Sequence, residues 1–249
     1  PYGNLVAAQW FAQAAQRHMH DYGTTSEHLG HVAVTCRAHA NLNPQALMHG
    51  KPMTLADHQA SRMISSPLRL FDCSLESDGA GAVIVTSAER AADLAQYPVI
   101  IGGVGEAHAF PSTSLTQKPS MAEVPALGVA ARRAFAMAGI GVADIDALMI
   151  HEGFTWYVLA ALEALGIVDP GDSGPFVAEG NIRLGGSLPV NTHGGALSEA
   201  HNSGINHVIE AVRQLRRSVE PARQVAECET AVVVNEGNFF DGAVLVLHR

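Results

Sequence analysis

The stretch Leu188-Pro-Val-Asn191-Thr-His193-Gly194-Gly195-Ala-Leu-Ser-Glu-Ala-His201-Asn-Ser-Gly204 constrains this chain more than any other. It reads as a strand end at Asn191, a tight turn at Gly194 and Gly195, and the first turns of a long helix reaching Arg217. Paired glycines reach φ > 0 and let a backbone or a ligand approach where a Cβ would block it. Behind them Ile205, Val208, Ile209, Val212 and Leu215 recur at helical spacing and predict an apolar stripe. Asn191, His193 and His201 should therefore gather around one turn at the edge of a core.

The rest of the chain alternates helical and strand-like segments. Residues 4–21 have helical periodicity closed by Gly23, and Thr24-Thr25-Ser26-Glu27 offers N-cap chemistry for a second helix through about Ala40. Asn41 to Pro67 is loop-rich, with a short helix over Leu55–Met63 behind Thr54. Buried strands are expected at 78–85, 98–103, 145–150, 231–234 and 243–247, and helices at 87–94, 121–138 and 155–165. Phe110 to Pro119 and Val168 to Leu188 are expected as loops. Such alternation argues for an α/β sheet with helices on both faces. Asp78-Gly-Ala-Gly-Ala-Val-Ile-Val is echoed by Asp241-Gly-Ala-Val-Leu-Val-Leu, which is either chance or the mark of a duplicated fold.

Composition narrows the function classes. The 249 residues are 47% apolar and 16% charged with a net charge of −9, which disfavours nucleic-acid binding and suits a globular protein with an ample core. No apolar run approaches the ~20 residues of a membrane span. Cys36, Cys73 and Cys228 have no paired spacing, so neither a disulfide framework nor a zinc site is expected, and a cytoplasmic setting is the simplest reading. Seven of the thirteen histidines fall between His18 and His58, but only His28 and His31 have metal-like spacing, and no metal is expected. The chain opens at Pro1 without an initiator methionine, as the later part of a longer polypeptide would.

The glycine-turn stretch resembles the thiolase signature, in which Asn-x-x-Gly-Gly-Ala precedes Gly-His-Pro-x-Gly. Asn191, Gly194, Gly195, Ala196, His201 and Gly204 match it, while Ala200 and Asn202 replace the Gly and Pro beside the histidine. A second motif, His151-Glu152-Gly153-Phe154 at a strand exit, is similar to the His-Asp-Cys-Phe of sterol-carrier-type thiolases. His18-Met-His-Asp-Tyr-Gly-Thr-Thr and Ser66-Pro-Leu-Arg-Leu-Phe-Asp resemble the same lipid-transfer branch, which includes steroid side-chain aldolases. The resemblance implies a thiolase-like duplicated α/β fold with mixed sheets. Residues 1–97 would be the later part of the first half, including the loop region, and 98–249 the second half.

The resemblance also implies chemistry. Thiolases bind the thioester oxygen with the residues matching His151 and His201, and two imidazole N–H groups aimed at one oxygen form an oxyanion hole. The bland alternative is that each ring satisfies a nearby carbonyl. Asn191 joins them as a candidate catalytic residue, with Gly194, Gly195, Phe154 and His193 as candidate substrate contacts. Counting back from Gly242 places Glu236 where thiolases carry their acid/base cysteine. Glu236 is either a base with a raised pKa between Phe239 and Phe240 or a solvated turn glutamate.

Gly153 stands where the sterol-carrier type has a cysteine, and the nucleophilic cysteine of thiolases would lie upstream of Pro1. Steroid aldolases carry tyrosines at the positions of His151 and His201, so the two histidines pull toward Claisen chemistry and the empty cysteine positions toward aldol chemistry. Three activities are expected, in this order. The first is a thiolase-type acyltransferase on acyl-CoA. The second is a retro-aldolase on a β-hydroxyacyl-CoA, working with a small zinc-ribbon/OB-fold partner. The third is a non-catalytic carrier of lipid thioesters. Coenzyme A enters as part of the substrate, with no covalently bound cofactor. Arg17, Arg37, Arg62 and Arg69 are candidate contacts for it, and a homodimer is implied.

Overall fold

Local chemistry sets the helix boundaries of the N-terminal region. Helix α1 (Ala7–Tyr22) stops at Gly23, which takes a left-handed φ of 73°. Helix α2 (Ser26–Asn41) starts behind Thr25, whose hydroxyl accepts the His28 N–H at 3.2 Å. Helix α3 (Leu55–Ala60) uses Thr54 the same way, accepting the Asp57 N–H at 3.1 Å. Each such cap contributes about 1 kcal/mol. The computed structural model describes residues 3–109, 120–237 and 241–249, and for residues 236 and 237 the backbone alone. The loop expected over 110–119 lies outside the described residues.

Strands β1 (Met63–Ser65), inside the region expected to be loop-rich, and β2 (Leu68–Arg69), just beyond it, pair antiparallel. After α4 (Ala88–Ala92) the chain builds its main sheet from β3 (Ile100–His108), β4 (Ala147–Ile150), β5 (Thr230–Gly237) and β6 (Asp241–His248). The spatial order is β3-β6-β5-β4, with β4 parallel to β5 and the other pairs antiparallel. Strand alternation splits the apolar side chains between two faces. Leu148, Ile150, Val232, Val234, Val244 and Val246 face α5 (Pro125–Ala138) and α6 (Thr155–Ala164). On the other face Ala147, Met149, Ala231, Val233 and Leu247 meet Ala211 and Leu215 of α9 (Ile205–Leu215). This is the expected mixed sheet with helices on both faces. Helix α5 lies directly on the strand backbone, because a Cβ on Gly103 or Gly105 would sit 2.2 Å from Ala134 O or 1.9 Å from Ala130 O.

Four expectations need correction. Residues 78–85 form no strand: they run without a ladder partner among the described residues, and Ile84 is 94% exposed. A strand is stable only when its N–H and C=O groups are paired, and this segment instead crosses α9, with Gly81 against Ile205 and Ile209. Of the two echoed glycine segments, only Asp241-Gly242 opens a strand.

The long helix after the glycine turn is broken into α8 (Gly195–Ser198) and α9. Ser203 at φ 50° and Gly204 at φ 88° reverse the backbone between them. The fully buried residues of α9 are His207, Glu210, Ala211, Gln214 and Leu215, so of the expected stripe Leu215 alone is fully buried, while Ile205, Val208, Ile209 and Val212 are half-buried. Those polar side chains are held in hydrogen-bonded networks, which makes their burial tolerable. Finally, the expected 168–188 loop contains α7 (Ser173–Ala178). No helix among the described residues is long and apolar enough to cross a membrane.

Candidate active site

Strand β4 exits at Ile150, and the His151 N–H prolongs its ladder to Val234 O at 2.9 Å. On the other side of the exit stands Asn191, at φ 52°, a left-handed value that asparagine tolerates better than most residues. Its side-chain amide accepts the Ile150 N–H and donates to the Ile150 carbonyl, both at 2.8 Å, so it pairs with the strand end as a peptide group would. The turn that follows is closely filled. A Cβ on Gly194 would meet Ala40 at 2.7 Å, and one on Gly195 would lie 1.9 Å from Glu152 Oε1.

His201 lies in the break between α8 and α9, where its N–H donates to Ser77 Oγ at 3.1 Å. The break turns its ring toward the β4 exit, and the Nε2 atoms of His151 and His201 come within 3.0 Å. Both rings are partly exposed. Ser74 Oγ lies 3.2 Å from His201 Nδ1. Two neutral imidazoles at this separation share one proton, because one Nε2 must carry the hydrogen and the other accept it. Burial lowers the His151 pKa to about 4, with His207 and His201 adding to the shift and Glu152 and Asn235 opposing it. Burial also lowers His201, with His207 adding to the effect and Glu152 opposing it. Neutral rings of this kind can donate to, or accept from, a substrate oxygen placed between them.

Beneath the pair lies a group that the motif reading passed over. Glu152, fully buried, receives hydrogen bonds from Asn191 Nδ2 at 2.8 Å, Leu197 N at 3.2 Å and His207 Nε2 at 3.0 Å. The His207 ring stands edge-on to His151, with centroids 5.6 Å apart, and to His193 at 4.6 Å. Spacing held a signal for this, since His207, Glu210 and Gln214 share one helix face. The apolar residues beside them masked it.

The other candidates are placed as follows. His193 is buried against His207, and its ring nitrogens have no hydrogen-bond partner among the described residues. Its pKa is lowered by burial, against the nearby Glu199 carboxylate at 3.6 Å. Phe154 packs on Phe11, centroids 4.5 Å apart, in the core ahead of α6. The backbone of Glu236 pairs with Gly242 at the end of β5, while its side chain and residues 238–240, including Phe239 and Phe240, lie outside the described residues.

Burial raises all three thiols: Cys36 well above its ordinary value, and Cys73 and Cys228 to about 12. Arg17 is paired with Asp21, and Arg37 is bonded to Ser198 and the Lys51 carbonyl. Arg69 donates to the Ser61 carbonyl. No cluster of three or more His, Cys, Asp or Glu side chains among the described residues is placed to hold a metal ion.

Comparison with known proteins gives four matches. Residues 105–249 match the family model for a thiolase C-terminal domain-like region. The chain is 43% identical over 218 residues to a steroid side-chain-cleaving aldolase of Thermomonospora curvata, covering 87% of this chain and 56% of that protein. It is 42% identical over 228 residues to the 17-hydroxy-3-oxo-4-pregnene-20-carboxyl-CoA lyase of Mycobacterium tuberculosis, covering 90% of this chain and 59% of that one. Among solved structures, the Ltp2-ChsH2(DUF35) aldolase superposes with a TM-score of 0.96 at 39% identity, over 100% of this chain and 65% of that chain. The chain thus spans less than two thirds of the length of these relatives.

Proposed function

This chain belongs to the thiolase superfamily, in its sterol-carrier-type branch, and we propose that it cleaves a β-hydroxyacyl-CoA by a retro-aldol step. The observation that carries the retro-aldol reading is the 43% and 42% identity to an aldolase and a lyase, while the His151–His201 contact at 3.0 Å supplies the thioester-oxygen site that either chemistry needs. A thioester oxygen that replaces the contact between the two Nε2 atoms would take one N–H from each ring, with both rings in the Nε2–H tautomer. His201 can supply its share because Ser74 is placed to hydrogen-bond the Nδ1 left bare.

In the cleavage, a base removes the β-hydroxyl proton and the Cα–Cβ bond breaks. The bonding pair moves into the thioester as an enolate, and the β-carbon leaves as a carbonyl compound. The α-carbon then takes a proton. Charge grows on the thioester oxygen during bond breaking, so donors aimed at it lower the barrier, by about 2.7–4 kcal/mol for a single well-placed donor. Glu236, at the end of β5 two residues beyond the Val234 carbonyl that receives the His151 N–H, is the proposed base. Acyl transfer, the first expectation, gives way to lyase chemistry. The relatives at 43% and 42% identity are an aldolase and a lyase by name, and Gly153 offers no thiol.

On the same reading, residues 1–97 and 98–249 belong to the two halves of the fold, and the protein works with a small partner subunit. The two-component name of the solved aldolase supports that partnership. The test is incubation of the full-length protein, with and without the partner, with an acyl-CoA bearing a tertiary β-hydroxyl. Shortened acyl-CoA and ketone should appear by mass spectrometry without added free coenzyme A. Cleavage of a β-ketoacyl-CoA that requires free coenzyme A, with no retro-aldol product, would replace this reading by thiolysis.

A further inference from the structure

We propose that His207 is held as a buried imidazolium by Glu152 and Asn206, and that this fixed cation is a positioning residue for the His151–His201 pair. The first part rests on hydrogen-bond accounting alone. The second rests on the retro-aldol reading.

Two amides beside His207 and Glu152 have orientations fixed by their partners. Asn206 Nδ2 donates to Glu199 Oε2 at 2.7 Å and to the Ala200 carbonyl at 3.0 Å, both acceptors, so its nitrogen must face them. That leaves Asn206 Oδ1, an acceptor only, 3.2 Å from His207 Nδ1. Asn191 is oriented in the same manner, since its Oδ1 accepts the Ile150 N–H, and its Nδ2 therefore points at Glu152 Oε2. The remaining nitrogen of His207, Nε2, lies 3.0 Å from that same Glu152 oxygen. Both nitrogens of one imidazole thus face oxygen acceptors. A neutral imidazole has a single N–H and would leave one contact as a lone pair against a lone pair.

Two arrangements satisfy the count. Either His207 carries both protons beside a Glu152 carboxylate, or Glu152 is protonated and donates to a neutral His207. The surroundings choose the first. Glu152 already receives N–H groups from Asn191 and Leu197, with the Cys36 thiol 4.0 Å away, and such donors favour the ionised carboxylate. Both side chains are fully excluded from water, so the pair is a charge-assisted contact in a weakly screening medium.

The charge is well placed to act. The groups facing His207 are Glu152, Asn206, His151 and His193, and His201 lies beyond His151. Its positive charge disfavours a second proton on His151 and His193, where it outweighs the opposing Glu152 carboxylate, while on His201 Glu152 outweighs it and burial lowers the ring. Neutral rings are what an N–H donor pair around an enolate requires. The same charge attracts the negative charge that develops on the thioester oxygen. Since His207 touches neither substrate nor the reacting atoms, it acts through the pair above it.

The test uses the full-length protein labelled with ¹⁵N-histidine. At neutral pH both His207 nitrogens should give protonated-type signals, identified by their loss in His207→Gln. In Glu152→Gln one of the two should become bare. In retro-aldol turnover, His207→Gln should lower kcat by about 10- to 100-fold, less than loss of a direct donor, with KM within a few-fold. A bare nitrogen on wild-type His207 overturns the cation. Wild-type kcat in His207→Gln overturns the positioning role. If the variants do not fold, the wild-type spectrum still decides the charge, with His207 identified by ring contacts to His193 and His151. A wild-type protein without retro-aldol turnover sinks the lyase reading and the positioning role built on it, and the nitrogen signals then support or overturn the cation by themselves.

Discussion

His151 Nε2 and His201 Nε2 stand 3.0 Å apart although fifty residues separate them, and a single hydrogen bond joins the β4 exit to the break before α9. On the proposed reading the two rings share one oxyanion site and would act as one functional unit. His151→Ala and His201→Ala should each lower kcat by about 10²–10³-fold. The double variant should be little worse than the poorer single one, because groups acting together are non-additive. Steady-state kinetics on the three proteins decide it. Losses that multiply would mean that the rings work separately.

The glycine turn should tolerate no side chain. Gly195 sits at φ 64°, and its Cβ would overlap Glu152 Oε1 at 1.9 Å, in a place where the carboxylate is held by three donors. Gly195→Ala therefore combines backbone strain with displacement of a buried charge. A loss of about 2–4 kcal/mol in urea unfolding is expected, from the cost of unfavourable φ and of a broken buried network. A change below about 0.5 kcal/mol would show that Glu152 can move freely.

His39 should make stability depend on pH. Its Nε2 accepts the Leu184 N–H at 3.1 Å, so its Nδ1 carries the proton and donates to the Asn191 carbonyl at 3.2 Å. Burial lowers its pKa to about 4. As pH falls from about 6.5 to about 4, the unfolded chain binds a proton that the folded ring refuses, so stability declines through that window. Above it His39 contributes no slope. Between about pH 7 and about pH 5 the term is on the order of 2 kcal/mol. Unfolding free energies of wild type and His39→Gln at the two pH values test this. An equal decline in both proteins would remove His39 as the cause.

Where a residue's role was local, its neighbours in the sequence announced it. Gly23, Thr25 and Thr54 bound helices through their own backbone or hydroxyl, and each does so here. His151 and His201 were legible for a related reason, since each sits beside a glycine-marked turn at the end of an element. Residues 78–85 failed because a strand is a property of two segments, and the apolar run of Ala82-Val-Ile-Val finds no partner among the described residues. Glu152 and His207 failed for the converse reason. A buried carboxylate beside a histidine is stable only through partners 39 to 55 positions away, and nothing adjacent to either residue reveals them.

Glu236 bears the remaining chemical expectation. The register of β5 against β6 places its backbone opposite Gly242, two residues beyond Val234, whose carbonyl receives the His151 N–H. The polypeptide therefore leaves β5 at the same end of the sheet where the imidazole pair sits. A carboxylate there can take the β-hydroxyl proton only if it is ionised in the enzyme–substrate complex. Glu236→Gln preserves the shape and removes that capacity, so kcat should fall by about 10²–10⁴-fold, the usual contribution of general acid–base catalysis. KM should change little, because the lost interaction belongs to the transition state. A glutamate that only solvates a turn would leave turnover within a few-fold of wild type and stability within about 0.5 kcal/mol. That result would withdraw the base from Glu236 and make Tyr157, buried in the first turn of α6, the next proton donor to vary.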